Sequence, residues 1–310
     1  MKNLFETSLI AKNDFIFKDK QTGIELWLKR EDQIHPFVSG NKFRKLKYNF
    51  LEAKKEGKKK VLTFGGAYSN HIAATAAAGK IMNIQTAGII RGEELGENIS
   101  ATLSKNKTLK FASDQGMELQ FISRSAYREK NEPHFLIENF PEYSDVYEIP
   151  EGGTNKLALK GCEEILTEQD KDFDIIACAV GTGGTIAGII NASSVDQKIL
   201  GFPALKGDFL EAEIKKLTTR NNVQLILDYH FGGYAKVDKA LINFINQFKK
   251  DYAIALDPIY TGKLLFGLID LIKAREFKEN TRILAVHTGG LQGISGMNQM
   301  LAKKNMPLLI

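Results

Sequence analysis

The chain has 310 residues, 43% of them hydrophobic, enough to bury the core of one large domain or two medium ones. Its 42 basic and 37 acidic side chains are interspersed, and the resulting formal charge of +5 is too mild and too evenly spread for a nucleic-acid footprint. The two cysteines, Cys162 and Cys178, make neither a disulfide framework nor a zinc site; with no leader-like start and no membrane-spanning apolar run, a soluble, cytoplasmic protein is expected.

The first predicted helix lies in FVSGNKFRKLKYNF, Phe37 to Phe50, where a Ser-Gly turn precedes Lys42, Arg44, Lys45 and Lys47. Phe43, Leu46, Phe50 and Leu51 recur at helical spacing. Lys42 therefore falls at the helix start, where the dipole disfavours an ordinary cation. That conflict weakens if the amine is neutral or tied up as an imine, and desolvation beside positive charge is how a Schiff-base lysine is prepared. A plain solvated lysine in a first turn is the alternative. Lys45 and Lys47 are expected to face solvent, and Arg44 has no assigned role. KKEGKKK, Lys54–Lys60, straddles a glycine and is expected to be the solvated end of the same helix, its cations complementing the dipole.

A strand is expected at KVLTF, followed by the loop FGGAYSNH and a helix through IAATAAAG. Ser69 and Asn70 are good helix caps, and for this loop by itself capping accounts for them slightly better than ligand binding does. His71 is open between a surface position and a supporting one. IQTAGII and ELQFI are further strands, and the Pro-Gly-Gly of YEIPEGGTN closes this first series near residue 150.

The second series opens with DIIACAV, in which Cys178 is a small core residue, and continues into VGTGGTIAG. There Gly181, Thr182, Gly183, Gly184 and Thr185 lie between a strand and a helix, so free N–H groups and a positive dipole end converge as a phosphate cradle. The third glycine of a dinucleotide fingerprint is replaced by Ile186, and no Gly-Lys-Ser/Thr follows for a Walker loop. A tight turn with no ligand is the plain alternative. Near the end, DPIYTGK places Tyr260 and Thr261 at a loop-to-helix junction, and RILAVHTGG places Thr288 after a buried strand. Alternating strands and helices of this kind predict an α/β fold with open, doubly wound, mostly parallel sheets, whose ligands sit beyond the carboxyl ends of the strands.

Taken together, the loops ask for a ligand with one phosphate, a carbonyl able to join a lysine, and a planar ring needing a polar partner. Pyridoxal 5′-phosphate has all three. The motifs LWLKREDQIHPFVSGNKFRKL, GGAYSNH, GTGGT, DPIYTGK and HTGG run in order from Leu26 to Gly290. In them the chain resembles the 1-aminocyclopropane-1-carboxylate deaminase and D-cysteine desulfhydrase family of pyridoxal-phosphate enzymes, in the tryptophan synthase β fold group (fold type II).

The resemblance implies that Lys42 is the imine-forming lysine and the base for the Cα proton. Asn70 would hold the ring hydroxyl, Gly181 to Thr185 the phosphate, and Thr288 would approach the pyridine nitrogen. Ser69 would meet the substrate carboxylate or assist proton transfer, with Asn70, His71, Tyr234 and Tyr260 on the substrate side and Tyr260 counted among the catalytic groups. It further implies a homodimer, a larger cofactor-binding domain of residues 1–44 plus 151–310, and a smaller one of 45–150, with the cofactor in the cleft between them.

Family members that open the cyclopropane ring resemble one another in carrying Glu after the tyrosine, where this chain has Thr261, and Gln where it has His71. The expected reaction is therefore elimination from a β-thiol amino acid, D-cysteine giving pyruvate, ammonia and sulfide. Deaminase activity is the second reading, and a non-catalytic pyridoxal-phosphate-binding protein a third. Ala73 and Ala74 stand where the family shows Arg and Gln, and the region from Ile199 to Val223 is compact, so the pocket is expected to differ.

Overall fold

Apolar runs bounded by turn residues become buried strands, and their order in space sorts the chain into two sheets. The computed structural model describes residues 4–5, 9–207 and 209–310. In chain order the strands are β1 (Asn13–Lys18), β2 (Glu25–Lys29), β3 (Lys60–Gly66), β4 (Gln85–Arg91), β5 (Glu118–Ile122), β6 (Tyr147–Ile149), β7 (Ile175–Val180), β8 (Lys198–Pro203), β9 (Val223–Leu225) and β10 (Arg282–Val286). Six form one sheet in the order β1-β2-β10-β7-β8-β9, and four form the other in the order β5-β4-β3-β6. Every pairing is parallel except that of β1 with β2. All six residues of β7 are buried, as a strand covered on both faces requires. The fold is thus the expected α/β class. YEIPEGGTN, read above as punctuation, supplies β6 before its glycines break the chain.

Helix α1 (Asn41–Lys55) lays Phe43, Leu46, Phe50 and Ala53 against Val61, Ala74, Ala77 and Ile149 of the four-stranded layer. It runs unbroken through residue 44, so the expected domain boundary falls inside it. Its end behaves as predicted: Lys54, Lys55 and Lys59 are exposed, and Gly57 turns the chain at φ 71°. Helix α2 (Asn70–Met82) follows β3 and is buried along most of its length, which its run of alanines permits.

The expectation of solvated cations beyond Lys42 fails. Lys45 is only 2% exposed and Lys47 is buried, its Nζ 2.7 Å from Glu164. Arg44 is also buried and donates to both carboxylate oxygens of Glu31 (2.8 and 3.0 Å) and to the Leu9 carbonyl (2.9 Å). Periodicity identifies the apolar face of α1, but a further helix covers the other side. That helix, Lys156–Glu163, approaches so closely that a Cβ on Gly161 would stand 1.9 Å from the Arg44 carbonyl oxygen. On its far side a Cβ on Gly188, in the Gly184–Ala192 helix, would lie 2.5 Å from the Cys162 Cβ. Cys162 and Cys178 are both free and buried, Cys178 in β7 as expected.

Candidate active site

The residue before α1 fixes where its first lysine points. Gly40 has φ 63° and ψ −150°, and a Cβ there would lie 2.0 Å from the Thr288 carbonyl oxygen, so only glycine lets α1 begin against the loop after β10. The Asn41 amide donates to that same carbonyl (3.2 Å), and its side-chain Nδ2 donates to Thr185 Oγ1 (2.8 Å). Three of the predicted loops thereby meet at one helix end. Lys42 Nζ donates to the Gly152 carbonyl (3.1 Å), and Lys45 Nζ donates to the same oxygen (3.1 Å) and to Thr154 Oγ1 (2.9 Å). Neither lysine has a carboxylate partner among the described residues. Desolvation first, and then the charge of Lys45, hold the Lys42 amine well below the ordinary lysine range; desolvation lowers Lys45 as well.

Beyond β7, Gly181 and Thr182 lead to Gly183 in the left-handed region (φ 84°) and then to the Gly184–Ala192 helix. The Thr182 hydroxyl is 2.8 Å from that of Thr154, so a chain of donors runs from Lys45 through Thr154 to the glycine loop. A helix N-terminus, three threonine hydroxyls and an ammonium without a carboxylate make an arrangement able to hold an anion. Lys45 would supply its charge, and sequence reasoning missed it together with Thr154 and the Gly152 carbonyl. The signal was present: positions three apart on a helix share a face, so Lys45 had to lie beside Lys42.

Across the cleft, Ser69 caps α2, its Oγ accepting from the Ile72 amide at 3.3 Å, as the capping alternative anticipated. Asn70 is the first helical residue, and its Oδ1 is buried without a partner. His71 is neither at the surface nor in the open cleft, being 1% exposed. Its Nε2 is 2.8 Å from Thr63 Oγ1, and that hydroxyl donates its one proton to the Ile149 carbonyl (2.8 Å). Nε2 must therefore carry the imidazole proton, which leaves Nδ1 as an acceptor, and Nδ1 has no partner. Burial, then the charges of Lys42 and Lys45, keep His71 neutral by lowering its pKa well below the usual value.

Asp257 organises the remaining groups. It is buried and accepts from the amides of Ile259, Tyr260 and Thr261 and from the Thr261 hydroxyl (2.6 Å). This turns the Tyr260 ring onto the glycine loop, where a Cβ on Gly181 would stand 3.2 Å from its Cε1. Burial raises the Tyr260 phenol well above its ordinary pKa, so it remains a proton donor. Tyr234 meets it edge-on at 6.3 Å between ring centres and is 53% exposed. Thr288 is buried at the carboxyl end of β10. A Cβ on Gly290, two residues on, would lie 3.2 Å from Asn70 Nδ2 and 3.3 Å from Asp257 Cγ. The structure thus gathers Lys42, Asn70, the Gly181–Thr185 loop, Tyr260 and Thr288, with Tyr234 at the rim and the Ser69 hydroxyl engaged as a cap.

These residues fit pyridoxal phosphate on observations independent of any resemblance. Asn70 Oδ1 is a buried acceptor lacking a donor, Lys42 is a half-buried amine lacking a counter-ion among the described residues, and charge, hydroxyls and a helix dipole converge beside them. Residues 7–289 match the family described as "Pyridoxal-phosphate dependent enzyme". The chain is 32% identical over 297 residues to the bifunctional D-cysteine desulfhydrase/1-aminocyclopropane-1-carboxylate deaminase of Arabidopsis thaliana, covering 88% of this chain and 74% of that protein. It is 28% identical over 294 residues to a D-cysteine desulfhydrase of Klebsiella pneumoniae (86% and 87% covered). Among solved structures, that of an ACC deaminase homologue superposes with a TM-score of 0.78 at 26% identity, covering 98% of this chain and 99% of the other. Resident chemistry, sheet order and sequence agree, and the chain belongs to the family of pyridoxal-phosphate dependent enzymes, with the fold of its type II members.

Proposed function

We propose that this enzyme carries out α,β-elimination on a small β-thiol amino acid, D-cysteine and water giving pyruvate, ammonia and sulfide. The observation that carries the choice is Thr261. It stands directly after Tyr260, is fully buried, and turns its hydroxyl onto Asp257, so this position presents no acid to a ring carbon. The name of the Arabidopsis relative joins both activities, which keeps the deaminase as the competing outcome of the test.

Bound between these residues, pyridoxal phosphate supplies the electron sink that makes a Cα–H bond acidic. Lys42 would join its carbonyl, the Gly181–Thr185 loop with Lys45 would hold the phosphate, and Asn70 and Thr288 would meet the ring. The chain's own groups do the rest. Lys42, its proton affinity lowered by desolvation and the charge of Lys45, would take up the Cα proton. The N-terminus of α2 faces the substrate carboxylate with unpaired amides and the Ser69 hydroxyl. Tyr260, kept protonated by burial, can donate to the departing thiolate. His71 stays uncharged and so leaves the carboxylate to the helix end. As the C–H and C–S bonds break, sulfide departs, and the released aminoacrylate hydrolyses to pyruvate and ammonia.

We also propose that the two sheets mark two domains, residues 1–44 plus 151–310 and residues 45–150, that the enzyme is a cytoplasmic homodimer, and that the cleft takes a small amino acid. The test is an absorbance spectrum of the purified protein with added pyridoxal phosphate, followed by D-cysteine, L-cysteine and 1-aminocyclopropane-1-carboxylate in turn, with assays for sulfide and α-keto acid. A visible band absent in Lys42→Ala and sulfide from D-cysteine are expected; 2-oxobutanoate from the cyclopropane would overturn the weight given to Thr261.

A further inference from the structure

The motif DPIYTGK contains a lysine that the proposed chemistry does not use. Lys263 lies in the first turn of the Thr261–Lys273 helix, where the dipole disfavours a cation, and is only 2% exposed. No carboxylate pairs with it among the described residues. Its Nζ instead donates to two backbone carbonyls of one turn, those of His230 and Gly233, each at 2.8 Å. Its proton affinity is lowered to about 8, chiefly by desolvation and against the pull of Asp257.

The turn it holds is one that the chain adopts reluctantly. Phe231 and Ala235 occupy the left-handed region at φ 54° and 55°, flanking Gly232 and Gly233, also at positive φ. The turn's own hydrogen bonds are short-range, the Gly232 amide donating to His230 Nδ1 (2.9 Å) and the Gly233 amide to the His230 carbonyl (3.0 Å), while the Phe231 ring packs edge-on against Phe266 of the same helix. Between Gly233 and Ala235 stands Tyr234, whose ring meets Tyr260. Lys263 and Tyr260 belong to the same helix start, so one element carries both the inner tyrosine and the clamp on the outer one.

We propose that Lys263 is a positioning residue: by tying the His230–Gly233 turn to the helix that follows Tyr260, it sets the spacing of the Tyr234–Tyr260 pair and hence the fit of the substrate side chain. This rests on the reading of those tyrosines as the substrate side of the cleft. The charge matters because a carbonyl pair accepts more strongly from an ammonium than from a neutral donor.

The experiment is a double-mutant cycle on the cofactor-loaded enzyme with D-cysteine. Lys263→Met is expected to raise KM about 10-fold while kcat changes less than about 3-fold and the visible band keeps its position. In a Tyr234→Ala background the same substitution should add less than about 2-fold, because the group it positions is gone. An equal KM penalty in both backgrounds, or none in the first, overturns the proposal while leaving the tyrosine assignment intact. A Tyr234→Ala enzyme with unchanged KM overturns the assignment, and the proposal with it. If Lys263→Met does not fold, Lys263→Gln is held to the same criteria. If D-cysteine is not turned over, amide hydrogen exchange decides: Lys263→Gln must accelerate exchange across residues 231–235 and not at the Asp257-held amides of 259–261, and uniform or absent acceleration overturns the clamp.

Discussion

Helix α1 and the strand before it hold their cations in two different ways. Along the seam between β2 and α1 each buried cation has a carboxylate: Lys29 lies 2.7 Å from Asp170, Arg44 2.8 Å from Glu31, and Lys47 2.7 Å from Glu164. One turn away, Lys42 and Lys45 have only a shared carbonyl and a threonine. The paired set is architecture, since each ion's desolvation is offset within the protein. The unpaired set has no such offset, and we propose that an anion and a carbonyl arriving from outside supply it. Within this one helix, the presence or absence of a counter-ion would then separate side chains that hold the fold from side chains that hold a cofactor.

Each part of that contrast can be broken. Lys42→Ala should lose the visible band of bound pyridoxal phosphate and on the order of 10³-fold in activity, read by spectrum and sulfide assay, with little change in unfolding midpoint. Glu31→Gln removes the nearer of the two carboxylates on buried Arg44, leaving Glu164 at 3.5 Å, and should cost about 3 kcal/mol in denaturant unfolding, with cofactor affinity unaffected in the fraction that folds. Lys45→Gln should weaken pyridoxal phosphate binding by about 10–100-fold, equivalent to about 1.4–2.8 kcal/mol, while the cofactor-free protein becomes no less stable. If Lys45→Gln instead lowers the unfolding midpoint without changing affinity, the two classes of cation are not distinct.

A smaller effect concerns pH. Lys263 has a folded-state pKa of about 8, below its ordinary 10.5, so between those values the unfolded chain binds more protons and stability rises with pH. The upward slope of unfolding midpoint against pH in that window should be shallower in Lys263→Met than in the wild type. Smallest of all, Lys54→Ala at the exposed end of α1 should change stability by no more than about 0.5 kcal/mol.

β3, β4, β5, β7 and β10 were legible because parallel strands buried on both faces leave apolar runs, as at Ile175–Val180. β1, β2, β6, β8 and β9 were not picked out, and β6 and β9 are only three residues each, without a periodicity of their own. The site loops announced themselves through glycine: Gly183 and Gly40 occur where the backbone needs positive φ, and such needs are written in single residues. Lys45 and Lys47 were misread, and Arg44 left without a role, for a different reason. Their burial depends on the close approach of the helix carrying Gly161, more than a hundred positions away, and for Arg44 and Lys47 on carboxylates that only the fold brings near. Asp257 was legible as a turn residue, but not as the acceptor of four hydrogen bonds that aims Tyr260.

The glycine-spaced stack of helices bears on tolerance. Lys42 and the Gly181–Thr185 loop sit on the first and third of three helices whose separations are set by Gly161, packed on the Arg44 backbone, and by Gly188, packed on the Cys162 Cβ. Such a stack would act as a fixed caliper between the two ends of the proposed cofactor, since neither crossing is opened by rotating a side chain. Differences in substrate would then fall to the jaw opposite, at Tyr234, Tyr260 and the start of α2.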